Sequence, residues 1–289
     1  MKKIHVGFLL SYDYEKLKKS IPPVYEEADR IFIAMDKDQR TWSGEVFDIN
    51  PVFFEWLKAF DVERKIEIYK DDFYDSNLKA IENDNRERHM LSLKMGIGNW
   101  LIQVDSDEYF LNFKKFIKDL RQYDSYLENP KTKNIQIAAY LINLYKHVDG
   151  GILFVKEPTR GIMATNYPNY RVARNTRKRI VYTQNLLLHE SIARDEDELV
   201  LKLDNWGHNI DIKDKDAFLN KWRTTNKSNY KEREDFFYIE PEKWKHLEFC
   251  EGQTVEAISR NINLKEIMPS KSYIAGKNFG QWFKFLFKK

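Results

Sequence analysis

The chain has 289 residues, 48 of them Lys or Arg and 45 Asp or Glu, for a formal net charge of +3. That length fits one large α/β domain, or one domain with an appended piece. The near balance of charge argues against a general nucleic-acid binder, which carries a larger basic excess. A single cysteine, Cys250, excludes an internal disulfide framework and a Cys-based zinc site, and it fits a reducing compartment.

Ile4–Leu10 is a short apolar run and reads as a first buried strand. Asp13 and Glu15 follow at once, without a small-residue cleavage site, so the run does not read as a signal peptide. No stretch approaches the ~18 apolar residues of a membrane span, and a cytoplasmic protein is expected. Residues 14–20 form a helical patch, and a second turn begins at Pro22-Pro23. Residues 30–35 form the next strand, ending at Asp36. Pro51–Phe60 has helical spacing, residues 65–69 a third strand, and residues 78–95 a long helix stopped by Gly96 and Gly98. Residues 99–104 form a fourth strand, and Asn112 is placed to cap a helix over 113–120. Strands separated by helices imply a parallel sheet with right-handed crossovers, whose ligands bind beyond the carboxyl ends of the strands.

The second half changes character. Residues 134–145 read as a strand, Gly150-Gly151 as a turn, and 170–173, 179–182 and 199–203 as further short strands. Residues 214–229 and 253–260 read as helices. The expected fold is α/β, with a Rossmann-like, mostly parallel central sheet flanked by helices and a mixed α+β second half. Three segments are expected: 1–125 for nucleotide-sugar binding, 126–230 for acceptor binding and catalysis, and 231–289 as a helical extension.

Chemistry concentrates at the strand ends. After the apolar strand, Asp105, Asp107 and Glu108 place three carboxylates within four residues. Carboxylates at i and i+2 of an extended segment point the same way and repel unless a cation sits beside them. Hard oxygens suit magnesium or manganese, and such an ion also takes oxygens from a substrate phosphate. A solvated acidic turn accounts for the same residues without a ligand. Tyr12 can stack on a planar base, Asp36 can accept from a base N–H, and Asp105 from ribose hydroxyls. Asp107 is the best direct metal ligand.

These strand ends, with Arg86-Glu87-Arg88 on the preceding helix and Leu188-His189-Glu190 downstream, resemble a GT-A-fold glycosyltransferase of the family 2 type. The resemblance covers most of the first two hundred residues. It implies a divalent metal, Mn2+ or Mg2+, on Asp107, and nucleotide-sugar contacts from Ser11, Tyr12, Asp36, Arg88 and Asp105. Asp13-Tyr14-Glu15 and His89 depart from the family's usual pattern. The His-Glu pair is similar to that of lipopolysaccharide-core enzymes, where a further His lies downstream. By that likeness His208 would complete the metal site. An inverting transfer needs a base for the acceptor hydroxyl, and Glu190, after a buried apolar run, is expected to have the raised pKa that suits one. The reaction implied is transfer from a nucleotide-diphosphate sugar to a glycan or lipid-linked acceptor in bacterial surface polysaccharide synthesis.

Arg171 and Arg177 can meet a phosphate through a guanidinium fork, or lie on a solvated hairpin. Trp42 can stack on a sugar or pack under a loop. The aromatic and basic tail, 277–289, suits contact with the inner face of an anionic membrane, or a last helix packed on the domain. Two other functions use similar sheet chemistry. A nucleotidyltransferase would show a Gly-rich loop after the first strand, which Ser11-Tyr12-Asp13-Tyr14 lacks. A non-catalytic carbohydrate- or nucleotide-binding protein would keep the fold and lose turnover.

Overall fold

The computed structural model describes residues 3–207 and 209–286. Strands β1 (Ile4–Leu10), β2 (Arg30–Asp36), β3 (Ile66–Asp71) and β4 (Trp100–Val104) are parallel, in the order β3-β2-β1-β4. Every residue of β1 and β4 is buried, as expected of strands covered on both faces. Leu10 lies opposite Met35 and Phe8 opposite Val104, so the chain leaves β1, β2 and β4 along one edge. Ser11, Tyr12, Asp36 and Asp105 therefore arrive together.

Helices cover this half. Two single turns, α1 (Leu17–Ser20) and α2 (Pro22–Tyr25), follow β1, and α3 (Pro51–Phe60) follows β2. The Asn50 side chain caps α3 by accepting from Val52 N at 3.0 Å, and Pro51 occupies its first turn. The long helix α4 (Ala80–Met95) crosses β1 at Gly7. A Cβ built there would lie 2.8 Å from Met95 Sδ and 2.9 Å from Leu91 Cδ2. That close approach lowers α4 onto the sheet and brings Asp84, Glu87 and Arg88 to the strand ends.

After β4 come β5 (Glu108–Phe110) and α5 (Phe113–Arg121). Asn112 caps α5 as expected, accepting from Lys115 N at 2.8 Å. The sheet then turns antiparallel. Its strands are β6 (Ile135–Val148), β7 (Gly151–Val155), β8 (Thr159–Thr165), β9 (Arg179–His189) and β10 (Leu247–Glu251). β8 lies antiparallel between β4 and β6, and β7 and β10 extend the sheet beyond β6. β9 runs parallel to β6 on its other side and pairs antiparallel with β5. One large mixed sheet flanked by helices results, parallel through its Rossmann-like first half. Its core is aromatic-rich: Trp100, Phe8, Phe53 and Phe116 are fully buried in one cluster, each worth roughly 1.5–3 kcal/mol of burial.

The remaining helices are α6 (Glu196–Asn205), α7 (Lys215–Thr224), α8 (Val255–Asn261), α9 (Leu264–Ile267) and α10 (Lys271–Leu286). Residues 199–203, expected as a strand, lie inside α6. Asp195 caps that helix by accepting from Glu198 N at 2.8 Å, with three acidic residues in its first turn. Residues 170–173 are not a strand either. Val172 bridges Asn175 across a turn in which Ala173 has φ 46°. The short strand expected at 179–182 continues to His189, because its other edge zips onto β6 over its length. None of the described helices is long and apolar enough to cross a membrane.

α10 lies along β9 through its polar inner face. Asn278 Oδ1 accepts from Tyr182 N at 2.8 Å, and its Nδ2 donates to Tyr182 O at 3.0 Å. Gln281 Oε1 accepts from Ile180 N at 3.2 Å. Two side chains thus complete backbone bonds that a further strand would otherwise supply.

Candidate functional site

At the shared edge of β1, β2 and β4 lies a cavity of about 270 Å³. Ser11, Tyr12, Asp36, Arg88, Asp105 and Asp107, the residues singled out in the first half of the sequence, all line it. His208 lies outside the described residues.

Asp107 stands at the centre. Its Oδ2 accepts from Lys202 Nζ and from Arg194 Nη2, each at 2.6 Å. Burial works against its charge, but Lys202 and Arg194 hold the carboxyl well below the usual range. Its Oδ1 faces His189 Nε2 at 3.6 Å, too far for a hydrogen bond. The imidazole is held from behind. Asn143 Nδ2 donates to Thr159 Oγ1 at 2.9 Å, which leaves Asn143 Oδ1 to accept from His189 Nδ1–H at 2.8 Å. Nδ1 then carries the proton, and Nε2 turns a lone pair toward Asp107. Burial lowers the His189 pKa, which keeps the ring neutral.

Asp105 pairs with Arg88 Nη1 at 2.9 Å and, at 3.7 Å, with Arg174 Nη2. Burial opposes its charge, but Arg174 and Arg88 hold the carboxyl at about 2. Arg174 also grips Glu108 with two 2.6 Å bonds, the strong bidentate geometry. Glu108 therefore orients an arginine that lines the cavity. Arg88 donates from Nε to Asp84 Oδ1 at 2.5 Å and stacks over Trp42. Arg88, Arg174 and Lys202 give the cavity a basic lining between acidic anchors.

Asp36 reaches the cavity but is fully engaged. Its two oxygens accept from the Asp38, Arg40, Phe73 and Tyr74 backbone amides and from the Arg40 guanidinium. Burial opposes ionisation, but these bonds, led by Arg40, lower its pKa. A base contact, the role expected of Asp36, would have to share oxygens that already hold the β2 and β3 ends together. A neighbouring carboxyl, Glu87, was not singled out by the sequence. It lines the cavity, accepts from Trp42 Nε1 at 2.6 Å, and among the described residues has no ion-pair partner. Burial pushes its pKa up to about 8, so it is a neutral carboxylic acid at pH 7, both donor and acceptor.

Glu190 does not line the cavity. It accepts from the Tyr109 hydroxyl and pairs with Lys16 Nζ at 3.2 Å. Against the pull of burial, Lys16 and Tyr109 lower its pKa, the opposite of the raised value expected of a base. Adjacent side chains at a strand end point to opposite sides, so His189 faces the cavity and Glu190 the α1 side. Arg171 and Arg177 are exposed and absent from the cavity lining, in line with the solvated reading. Trp42 belongs to the site, through Glu87 and Arg88.

Among the described residues, no group of three or more His, Cys, Asp or Glu side chains is placed to hold a metal ion. Asp107 Oδ1 and His189 Nε2 nonetheless fit one as a pair. They are two unshared donors facing each other, one imidazole fixed by Asn143 from behind in the way metal-binding histidines are. Magnesium-type ions commonly take one or two protein ligands and fill the rest from phosphate and water.

No protein-family model matches the chain, and no curated protein does. Among solved structures it is similar to S. aureus TarS 1-349, at 10% identity and a TM-score of 0.29, over 48% of this chain and 35% of that one. The chain thus spans about a third of that structure. It is also similar to mannose-6-phosphate isomerase from Helicobacter pylori, at 10% identity and a TM-score of 0.31, over 93% and 94% of the two chains. Likenesses at this level carry no functional argument, which rests on the site itself.

Proposed function

We propose that this protein is a glycosyltransferase of GT-A type that takes its sugar from a nucleotide-diphosphate donor. The observation that carries the reading is the opposed pair Asp107 Oδ1 and His189 Nε2, 3.6 Å apart, at the carboxyl edge of a parallel sheet. A carboxylate oxygen and an imidazole lone pair repel unless a cation joins them. The cavity beside them offers Arg88, Arg174 and Lys202 to phosphate oxygens.

In this reading Asp107 and His189 hold Mn2+ or Mg2+, which when bound would offset charge developing on the leaving diphosphate. Lys202 and Arg194 fix the Asp107 carboxylate so that Oδ1 faces the cavity. Arg174, clamped by Glu108, and Arg88, clamped by Asp84, supply further positive charge at fixed positions. Tyr12 stands at the cavity wall for stacking on the base. Glu87, with a proton to donate and oxygens to accept, takes the base-edge role first expected of Asp36. The acceptor is a glycan or a lipid-linked sugar, as the family resemblance implies.

The test is calorimetry with uridine and guanosine diphosphates and their sugar conjugates, with and without manganese, followed by product analysis. Metal-dependent binding that is lost in Asp107→Asn and His189→Ala, with sugar transfer by the wild type, is the expected result. Binding without turnover would assign a non-catalytic binding protein. No binding under any condition would overturn the reading.

A further inference from the structure

α10 carries an outer face whose large apolar side chains are exposed. Ile274, Asn278, Gln281 and Phe285 recur at helical spacing and face inward, and Asn278 and Gln281 fasten the helix to β9. The adjoining side exposes Phe279 (64%), Trp282 (46%), Phe283 (54%) and Leu286 (55%). These rings touch: Phe279 lies 6.0 Å from Trp282 and 6.5 Å from Phe283, centroid to centroid. Four adjacent large apolar side chains left in water are not ordinary surface scatter.

A groove of about 700 Å³ runs along one flank, between Trp282, Phe285 and Leu286 of α10 and a basic wall. Lys131, Lys133, Lys178 and Arg179 line it, and no carboxylate does. Lys277 and Lys284 add positive charge on α10 itself, both exposed. Aromatic side chains on one face with lysines around them are the composition of a helix that lies in a lipid interface. Here the helix is already pinned flat by its inner face, so its aromatic side is presented in one plane. A second copy of the chain would bring the same lysines against each other, which disfavours self-association through this face.

We infer that the outer face of α10, with the Lys131/Lys133/Lys178/Arg179 wall, docks on an anionic phospholipid surface. The aromatic rings enter the headgroup boundary, and the lysines meet lipid phosphates. The attraction is interfacial, and the helix does not span the bilayer.

The experiment is co-sedimentation of the full chain with phosphatidylcholine vesicles, with and without phosphatidylglycerol. Three proteins are compared: wild type, Trp282→Ser/Phe283→Ser and Lys131→Ala/Lys133→Ala. All the substituted side chains are exposed, and circular dichroism checks that each variant folds. Wild type is expected on phosphatidylglycerol vesicles only, weakening with salt. The aromatic variant should lose binding, and each lysine removed should weaken it about fivefold. Nucleoside-diphosphate binding, read separately, should be the same in all three, so failure here leaves the cleft chemistry standing. Equal partitioning of the three proteins, or none by wild type, overturns the inference. So does a wild-type dimer that the aromatic substitutions dissolve, which would give the face to a second copy.

Discussion

Replacing Glu87 by Gln should stabilise this protein, by an amount that grows with pH. Burial raises the Glu87 pKa from 4.5 to about 8 on folding. Between those values the unfolded chain gives up this proton and the folded protein keeps it. The folded state then binds more protons, so stability falls as pH rises through the window. The contribution is fully present below pH 4.5 and lost by about pH 8. At no more than ~1.4 kcal/mol per pH unit, the loss is about 3 kcal/mol at pH 7 and about 4 kcal/mol at pH 8, where the folded group is itself half ionised. Gln has the same shape and no proton to lose, and its amide oxygen can still accept from Trp42 Nε1. Glu87→Gln should therefore match wild type near pH 4.5 and gain stability steadily above it. Urea unfolding of both proteins at a series of pH values from 5 to about 8, without ligand, measures the difference directly. Parallel stability curves would refute the neutral-acid assignment. If Glu87 reads the base edge, the same variant should also shift the preference among nucleoside diphosphates.

Three further outcomes follow from the geometry. Asn143→Ala should free the His189 ring and weaken manganese binding by roughly 10–100-fold with little change in fold, read by metal titration with nucleoside diphosphate present. Lys16→Met should cost about 3 kcal/mol, because it strips the main cation from the buried Glu190. The Glu190 pKa is lowered in the fold, so its contribution is present above the unfolded value and lost as pH falls through the folded one. Denaturation of Lys16→Met should accordingly show a shallower loss of stability toward acid. Asn278→Ala should remove both bonds to Tyr182 and cost about 1–3 kcal/mol, measured by thermal unfolding, with nucleotide binding intact.

The parallel half of the fold was legible because it obeys local rules. β1 and α3 lie where periodicity put them, α5 starts at its Asn112 cap, and the Asp105-Ser106-Asp107 turn sits where an apolar strand ends. α6 was misread because five residues rich in Leu and Val fit either period. Asp195, three residues before Glu198, was the capping signal that would have settled it. Lys202 escaped notice for the same reason, since a strand would have aimed it elsewhere. Glu87 sits in the Arg86-Glu87-Arg88 segment, but nothing in the sequence signals its role. Its chemistry comes from desolvation, which exists only once α4 descends onto β1 at Gly7. In the His-Glu pair the sequence located the site, but the alternation of β9 decides which of the two side chains reaches it.

The clasp of Asn278 and Gln281 on β9 also bears on how copies of this protein coexist at high concentration. An edge strand with unpaired amides at Ile180 and Tyr182 would be a template on which another chain could add a strand. By satisfying those amides with side chains of α10, the fold withdraws that template. A chain cut before Lys271 would regain it. Its failure would then be intermolecular, with molecules joining sheet to sheet before any one of them melted.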